Sequence, residues 1–407
     1  MAKPKRKRKV ITDFSTEDEQ KVVMQNKMQD LLNFCNKKLG DSYSVILASE
    51  LVGEGDIEPF KTNHISFDCM TGIGGLPVGK IIEFTGEEGS HKSNFAWECV
   101  GEAHAENDYN YVVWIDGEKA IDLRVPMQRK HIMNMHVDFS RLIIIVPDSA
   151  EQCWSIIDEA CYNNARLIVI DSVSSLVPNK EIKAGIESDG YPALPASINR
   201  GFRGISKNLW MSGSTLIEIN QVREDVGNTA NKMYVSTEDR WKTTGGKGLK
   251  HWLTLRLFFR KKKIKQEIRD SDGKTTRVHI GDEVIVRVMK TRLAPIMDEA
   301  HMFMYHKTGF DKVEELINML QSWGLLYKRT PRAKKLLFSS CEDSLGEMTF
   351  DEWHEYFENE ESYAWACEIM TEVYNNYYSE NEGLENDIIE QEGEEGLYEY
   401  DEIEEDE

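Results

Sequence analysis

The apolar positions of this chain fall into short, continuous runs. Ile81-Ile82-Glu83-Phe84, Tyr111–Asp116, Leu142–Val146, Leu167–Asp171 and Thr215–Asn220 are the clearest. Each has strand length, and none shows the strict alternation of a sheet with one wet face. Between them, residues 149–163 and 193–211 carry apolar positions at helical spacing, with Pro195 necessarily near the start of the second helix. This alternation predicts an α/β fold with a mainly parallel sheet buried on both faces. Trp252–Phe259 and Val284–Val288 are also strand-like, and Asp272-Gly273 between them fits a hairpin tip. Residues 223–251 are polar and contain Gly, and no element is assigned to them. A loop of that length inside a compact domain is either functional or disordered.

The ends follow a different pattern. Val22, Val23, Met28, Leu31, Leu32, Phe34, Cys35 and Leu39 predict a helix over 21–39 that stops at Gly40. After Phe310 a helix is expected over 311–323, stopped by Gly324. Thr349 and Glu352 have capping-box spacing ahead of Trp353, Tyr356 and Phe357. The resulting layout is a basic disordered arm (1–20), an N-terminal oligomerisation segment (21–60), a core (61–309), a small helical domain (310–378) and an acidic disordered tail (379–407).

Charge sharpens this layout. The net charge is -22, yet fifteen Asp and Glu lie beyond residue 378, and no Lys or Arg follows Lys335. The acidity is largely a property of the tail, so nucleic-acid binding by the body is not excluded. The first residues, MAKPKRKRKV, are basic. PKRKRKV resembles a nuclear import signal, but reads more readily as a solvated basic arm that touches nucleic-acid phosphates. No apolar run approaches 18 residues, which excludes a membrane-spanning helix, and the basic start lacks the apolar run of a secretory signal. Seven scattered Cys without a CxxC pair point to reduced thiols in a cytosolic setting, not a zinc site or a disulfide framework.

Candidate chemistry centres on Gly86-Glu87-Glu88-Gly89-Ser90-His91-Lys92-Ser93, between the first strand and a helix that opens at Asn94. It is one residue off the phosphate loop G-x-x-x-x-G-K-[ST]. Backbone N–H groups and the helix N-terminus would cradle phosphate, Lys92 would reach the β/γ-phosphates, and Ser93 would hold Mg²⁺. His91 stands where the pattern asks for Gly, and its Cβ crowds the turn if φ is positive. Asp171 ends an apolar strand, at the sheet edge where open α/β sheets bind ligands, and is a candidate to organise Mg²⁺. Glu118 reads either as a carboxylate that polarises water or as a surface Glu at a strand end. Asn220-Gln221 reads either as a γ-phosphate sensor or as a loop cap.

Taken in order, GIGGLPVGKIIEFTGEEGSHKSNF (72–95), WIDGEKAID (114–122), PDSAEQ (147–152), LIVIDSVSSLVPNKEI (167–182), INQVR (219–223), TTGGKGLKH (243–251) and VMKTRLAP (288–295) resemble the RecA family of DNA recombinases. The similarity spans roughly 25–330, and the loop is most like the phage UvsX-type branch, which also carries a bulky residue before Lys-Ser-Asn-Phe. The resemblance implies a RecA-type P-loop ATPase core with an N-terminal helix that docks on the adjacent protomer, and ATP with Mg²⁺ as cofactors. Residues 86–94, from Gly86 to Asn94, would form the nucleotide loop, with Asp122 and Tyr305 near the adenine. Ser93 and Asp171 would serve Mg²⁺, Glu118 would activate water, and Gln221 would couple the γ-phosphate to DNA. Lys290 and Arg292 match cationic positions that reach the neighbouring protomer's ATP. Arg203, Arg223, Val226, Gly245 and Gly246 match DNA-binding positions, within or beside loops at about 183–196 and 223–245. Tyr191-Pro192, Ala196 and Val125 depart from the family's usual residues.

The implied activity is DNA-dependent ATP hydrolysis by a helical filament that performs homologous pairing and strand exchange. The implied partners are single- and double-stranded DNA, further copies of the chain, and single-strand-binding and mediator proteins, with no membrane. The acidic tail would compete with DNA for basic loops or simply aid solubility. The expected setting is the cytoplasm of an infected bacterium, with a nucleus-like compartment left open by PKRKRKV. A ring-forming RecA-fold motor and a non-hydrolysing accessory protein are the rival functions.

Overall fold

A computed structural model describes residues 27–31, 33–34, 37, 59–184, 193–224, 241–243, 246–269, 275–293, 297, 299–339 and 345–395. The chain divides into two units, Met1–Glu58 and Pro59–Glu407. In the first, residues 27–31, 33, 34 and 37 are helical, inside the expected 21–39 span. The arm 1–20 and the hairpin tip Asp272-Gly273 lie outside the described residues.

The second unit is built on one sheet. Its strands are β1 (Ile81–Gly86), β2 (Val112–Asp116), β3 (Leu142–Ile145), β4 (Leu167–Asp171), β5 (Thr215–Glu224), β6 (Trp241–Thr243), β7 (Leu255–Arg269), β8 (Thr275–Thr291), β9 (Glu299–Tyr305) and β10 (Gly309–Phe310). The order is β10-β9-β8-β7-β1-β5-β4-β2-β3, with β6 attached to β5. From β7 to β3 every neighbouring pair is parallel. From β7 to β10 every pair is antiparallel. The expected parallel sheet is therefore present, extended on one side by a long antiparallel ribbon.

Burial explains why the central strands read as continuous apolar runs. Every residue of β1 and β2 is buried, as are the first four of β4. Successive side chains go to opposite faces of a strand. Ile82, Phe84, Val112, Trp114, Leu167 and Val169 join one core, and Ile81, Val113, Ile115, Ile168 and Ile170 join the other. Trp97, on the helix Lys92–Glu106, stacks on Trp114 with ring centroids 3.6 Å apart, fixing that helix over β2.

Three elements differ from expectation, each for a traceable reason. Trp252 belongs to the helix Gly246–Trp252, and the strand starts at Leu255. Leu249 and Leu253 bury their side chains beside the helix Leu194–Ser212, and this packing draws Trp252 into the helix. β5 runs on past Asn220 to Glu224, because β6 supplies the partners Val222↔Thr243 and Arg223↔Lys242. β8 is far longer than Val284–Val288, since β7 pairs with it along nearly its whole length.

Inside the sheet lies a charged cluster. Glu83 on β1 faces Glu218 on β5 and Arg256 on β7 in the strand register, and all three are buried. Arg256 pairs with Glu83 through its Nε. Neither oxygen of Glu218 has a hydrogen-bond partner among the described residues.

The region after Phe310 belongs to the same unit. Its helices Lys312–Ser322 and Phe350–Phe357 and the start of Glu360–Glu395 enclose Leu316, Phe338, Trp353 and Met370, together with Ile65 and Cys69 from before β1. Buried Glu315 accepts from Ser66 N and Oγ, both at 2.8 Å, and lies 2.7 Å from His64 Nδ1. The expected boundary at 310 thus falls within one packed body. The capping box at Thr349 and Glu352 forms as expected. The last helix continues beyond 378, where the acidic tail was expected to begin.

Candidate nucleotide site

The phosphate-type loop lies at the carboxyl end of β1, between β5 and β7. Gly86 has φ +149°, and a Cβ on it would lie 2.2 Å from the Phe259 carbonyl oxygen on β7, so only Gly fits there. Glu87, Glu88 and Gly89 are exposed, while Ser90 and Lys92 are buried. The Lys92 ammonium folds back on the loop and donates to Gly86 O at 3.0 Å, Glu87 O at 2.7 Å and Ser90 Oγ at 3.3 Å. Burial lowers its pKa to about 8, against the opposing pull of Asp171, Glu118, Glu88 and Glu87.

His91 takes up the crowded conformation that its position threatens, with φ +69°. Such a left-handed residue costs about 1 kcal/mol or more unless its surroundings hold it. Here they do. Asn94 Nδ2 donates to His91 Nδ1 at 3.0 Å, which leaves Nε2–H to donate to Asp282 Oδ2 at 2.9 Å. His131 Nε2 completes the row by donating to Asn94 Oδ1 at 3.2 Å. Burial lowers the His91 pKa and Asp282 acts against it, so the neutral ring is favoured.

Asp171 is reached from the loop by the hydroxyl of Ser93, which donates to it. Burial pushes the Asp171 carboxyl up to about 6 despite that bond, and nearby Glu118 and Asp116 add to the rise. Glu118 follows β2 and is held in place. Its Oε1 accepts from Ser172 Oγ at 2.7 Å and from Gln221 Nε2 at 2.9 Å. The backbone of Gly117 donates to Asp171 O at 2.8 Å, tying the ends of β2 and β4 together. The site therefore joins Lys92, Ser93, Asp171, Glu118 and Gln221.

The other expected residues are placed as follows. Tyr305 pairs with Gly281 next to Asp282, and its hydroxyl donates to Glu314 at 2.6 Å. Asp122 is partly exposed and accepts from Arg124 Nε at 2.8 Å. Lys290 and Arg292 stand at the other end of the sheet from Lys92, near the start of β7. Lys290 donates to Leu253 O at 3.0 Å and to Lys250 O, and Arg292 donates to His251 O at 2.5 Å. These acceptors sit at the carboxyl end of the helix Gly246–Trp252, where cations complement the helix dipole. Burial holds Lys290 below the ordinary lysine value, and Arg292 and Arg256 add to the effect. Arg203 is exposed on the helix Leu194–Ser212. Arg223 lies in β5 and Gly246 opens the helix Gly246–Trp252. Val226 and Gly245 lie outside the described residues, as does most of the first loop expected to face DNA.

Partners missed from sequence include Asp282, Ser172 and Lys261. Ser172 gave no signal beyond its place after Asp171. Lys261 reads as part of a solvated basic edge, yet its Nζ would be 3.3 Å from a Cβ on Gly89, and so it lies over the loop.

A phosphate-type loop followed by carboxylates on neighbouring strand ends defines the class: an α/β nucleotide-binding fold with its site at the carboxyl edge of the sheet. The profile of the RecA N-terminal domain matches residues 26–311. The Protein RecA of Malacoplasma penetrans is 31% identical over 274 residues, 67% of this chain and 76% of the relative. That of Fusobacterium nucleatum is 37% identical over 265 residues, covering 65% and 64%. That of Thermotoga maritima is 30% identical over 304 residues, covering 74% and 78%. The chain belongs to the RecA family.

Proposed function

We propose that this chain is a DNA recombinase that hydrolyses ATP, assembles as a filament on single-stranded DNA and carries out strand exchange. Family membership supports the general role in DNA recombination and repair. The residues also fit Mg²⁺ and a triphosphate. Gly86 leaves a cradle that a Cβ would fill, the Ser93 hydroxyl meets the Asp171 carboxylate, and among the described residues the hydrogen-bond acceptors of Lys92 are all neutral. Mg²⁺ held by Ser93 and Asp171 would neutralise developing phosphate charge. Lys92, with Lys261 beside it, would bind the phosphates, and Glu118 would orient and deprotonate water.

One observation carries the DNA-linked reading. Gln221 on β5 hydrogen-bonds Glu118, and β5 leads directly to the segment expected to face DNA. A shift of Gln221 toward a γ-phosphate would pass along β5, so nucleotide and DNA would act on one strand. Lys290 and Arg292 lie far from their own loop, which favours their serving a neighbour's nucleotide across a heterologous contact. The loop GEEGSHKSNF supports placement in the phage-type branch. A bacterial cytoplasm, and single-strand-binding and mediator partners, follow from the same reading.

Electron microscopy of the full chain with ATP and single-stranded DNA tests this, paired with ATP turnover in both conditions. Helical filaments and DNA-stimulated turnover are expected. Closed rings without filaments would favour a motor, and equal near-zero turnover would favour a non-hydrolysing accessory.

A further inference from the structure

Outside the nucleotide site, three side chains meet at the edge of the antiparallel ribbon. His279 and Asp282 come from β8, and His306 follows β9. One ligand atom from each lies within 4.8 Å of the other two. The ladder fixes their backbones: Gly281 pairs with Tyr305, and His306 N donates to Ile280 O at 3.0 Å. The two imidazoles are edge to face, with ring centroids 4.5 Å apart. Asp282 is 2% exposed, so its carboxylate is nearly desolvated.

The two oxygens of that carboxylate are used differently. Oδ2 faces His91 at 2.9 Å and Lys261 at 3.9 Å, while Oδ1 faces only His279, at 3.0 Å, among these groups. Lys261 is one-third exposed and can turn to solvent. Two imidazoles and a carboxylate in reach of one point are a three-ligand set of the kind that holds Zn²⁺ or a similar ion with an open position. Hard Mg²⁺ prefers oxygen ligands and is poorly served by it.

We propose that His279, Asp282 and His306 form a binding site for a divalent transition metal, with Zn²⁺, Co²⁺ and Ni²⁺ as fitting ions. On binding, His279 carries its proton on Nδ1 and presents Nε2 to the metal in place of its hydrogen bond to Oδ1. The site shares Asp282 with His91, so it adjoins the nucleotide loop without using any residue of the phosphate cradle.

Co²⁺ titration of the full, untagged chain without nucleotide or Mg²⁺ tests the proposal. One saturable site with visible d–d absorption is expected. Removing one ligand, in His279→Ala or His306→Ala, should weaken it by at least about tenfold. His306 is exposed, so its replacement leaves the fold intact. His306→Cys should keep the site and add a thiolate-to-cobalt charge-transfer band. Undiminished binding in the His279→Ala/His306→Ala double variant would overturn the proposal, as would a silent His306→Cys spectrum or the absence of saturable binding.

Discussion

At the carboxyl end of the central strands, Lys92, Asp171 and Glu118 sit within one another's fields, and Ser93, Ser172 and Gln221 hold them in place. At the amino end, Lys290 and Arg292 rest on the backbone carbonyls of residues 250, 251 and 253. Cations at the first end have carboxylate partners nearby, and those at the second lean on a helix terminus. A neutral acceptor holds a cation less firmly than a phosphate, because charge-assisted bonds to an ionised partner are the stronger kind. Lys92 likewise rests on neutral acceptors, so the cations of both ends can exchange their contacts for a phosphate. They differ in that Asp171 and Glu118 act on Lys92, whereas Arg292 and Arg256 act on Lys290.

The sharpest way to break this comparison is to remove the cations of the amino end. Lys290→Ala with Arg292→Ala should lower DNA-stimulated turnover by roughly 10³- to 10⁵-fold, as for arginine fingers supplied in trans. Nucleotide binding by dilute protomers should not change, measured with a fluorescent analogue. A parallel loss of binding would place these cations on their own protomer's nucleotide.

A smaller effect sharpens the carboxyl end. The Asp171 carboxyl is raised to about 6, and only its charged form serves Mg²⁺. Magnesium-dependent nucleotide affinity should hold above that pH and fall by about tenfold for each unit below it. Calorimetric titration from pH 5 to 8 checks this, and Asp171→Asn should flatten the profile. A flat parent profile would remove Asp171 from the metal site.

The smallest effect is expected at the loop itself. His91→Gly relieves a left-handed residue but loses two hydrogen bonds, so the two changes should nearly cancel, to within about 1 kcal/mol. Thermal unfolding measures the balance. A loss several times larger would mean that the His91–Asp282 contact holds the ribbon as well as the loop.

Much of the carboxyl end was legible in the sequence because its signals are local. β1, β2 and β4 are short apolar runs whose last residues, Gly86, Asp116 and Asp171, mark one sheet edge. The loop and Asp171 could be named from order and spacing alone. What stayed hidden was non-local. Nothing near His91 announces Asp282, which is 191 residues away. The length of β8 was masked because its first four residues, Thr275 to Val278, are exposed, without the burial that makes a strand readable. Trp252 looked like strand because an apolar run gives no period, and the helix it closes is set by Leu249 and Leu253 against a distant partner. Lys261 resembled any edge lysine until β7 was laid beside β1.

Glu218 has a calorimetric consequence. Burial next to Glu83 raises its carboxyl well above the ordinary range, with Arg256 pulling the other way. A raised folded value means the native chain keeps this proton to a higher pH than the unfolded chain does, so this group's contribution to stability declines as pH rises above its unfolded value. Above that unfolded value, unfolding releases this group's proton. The heat it absorbs will include the buffer's heat of protonation, and phosphate and Tris will report different apparent enthalpies for the same molecular event.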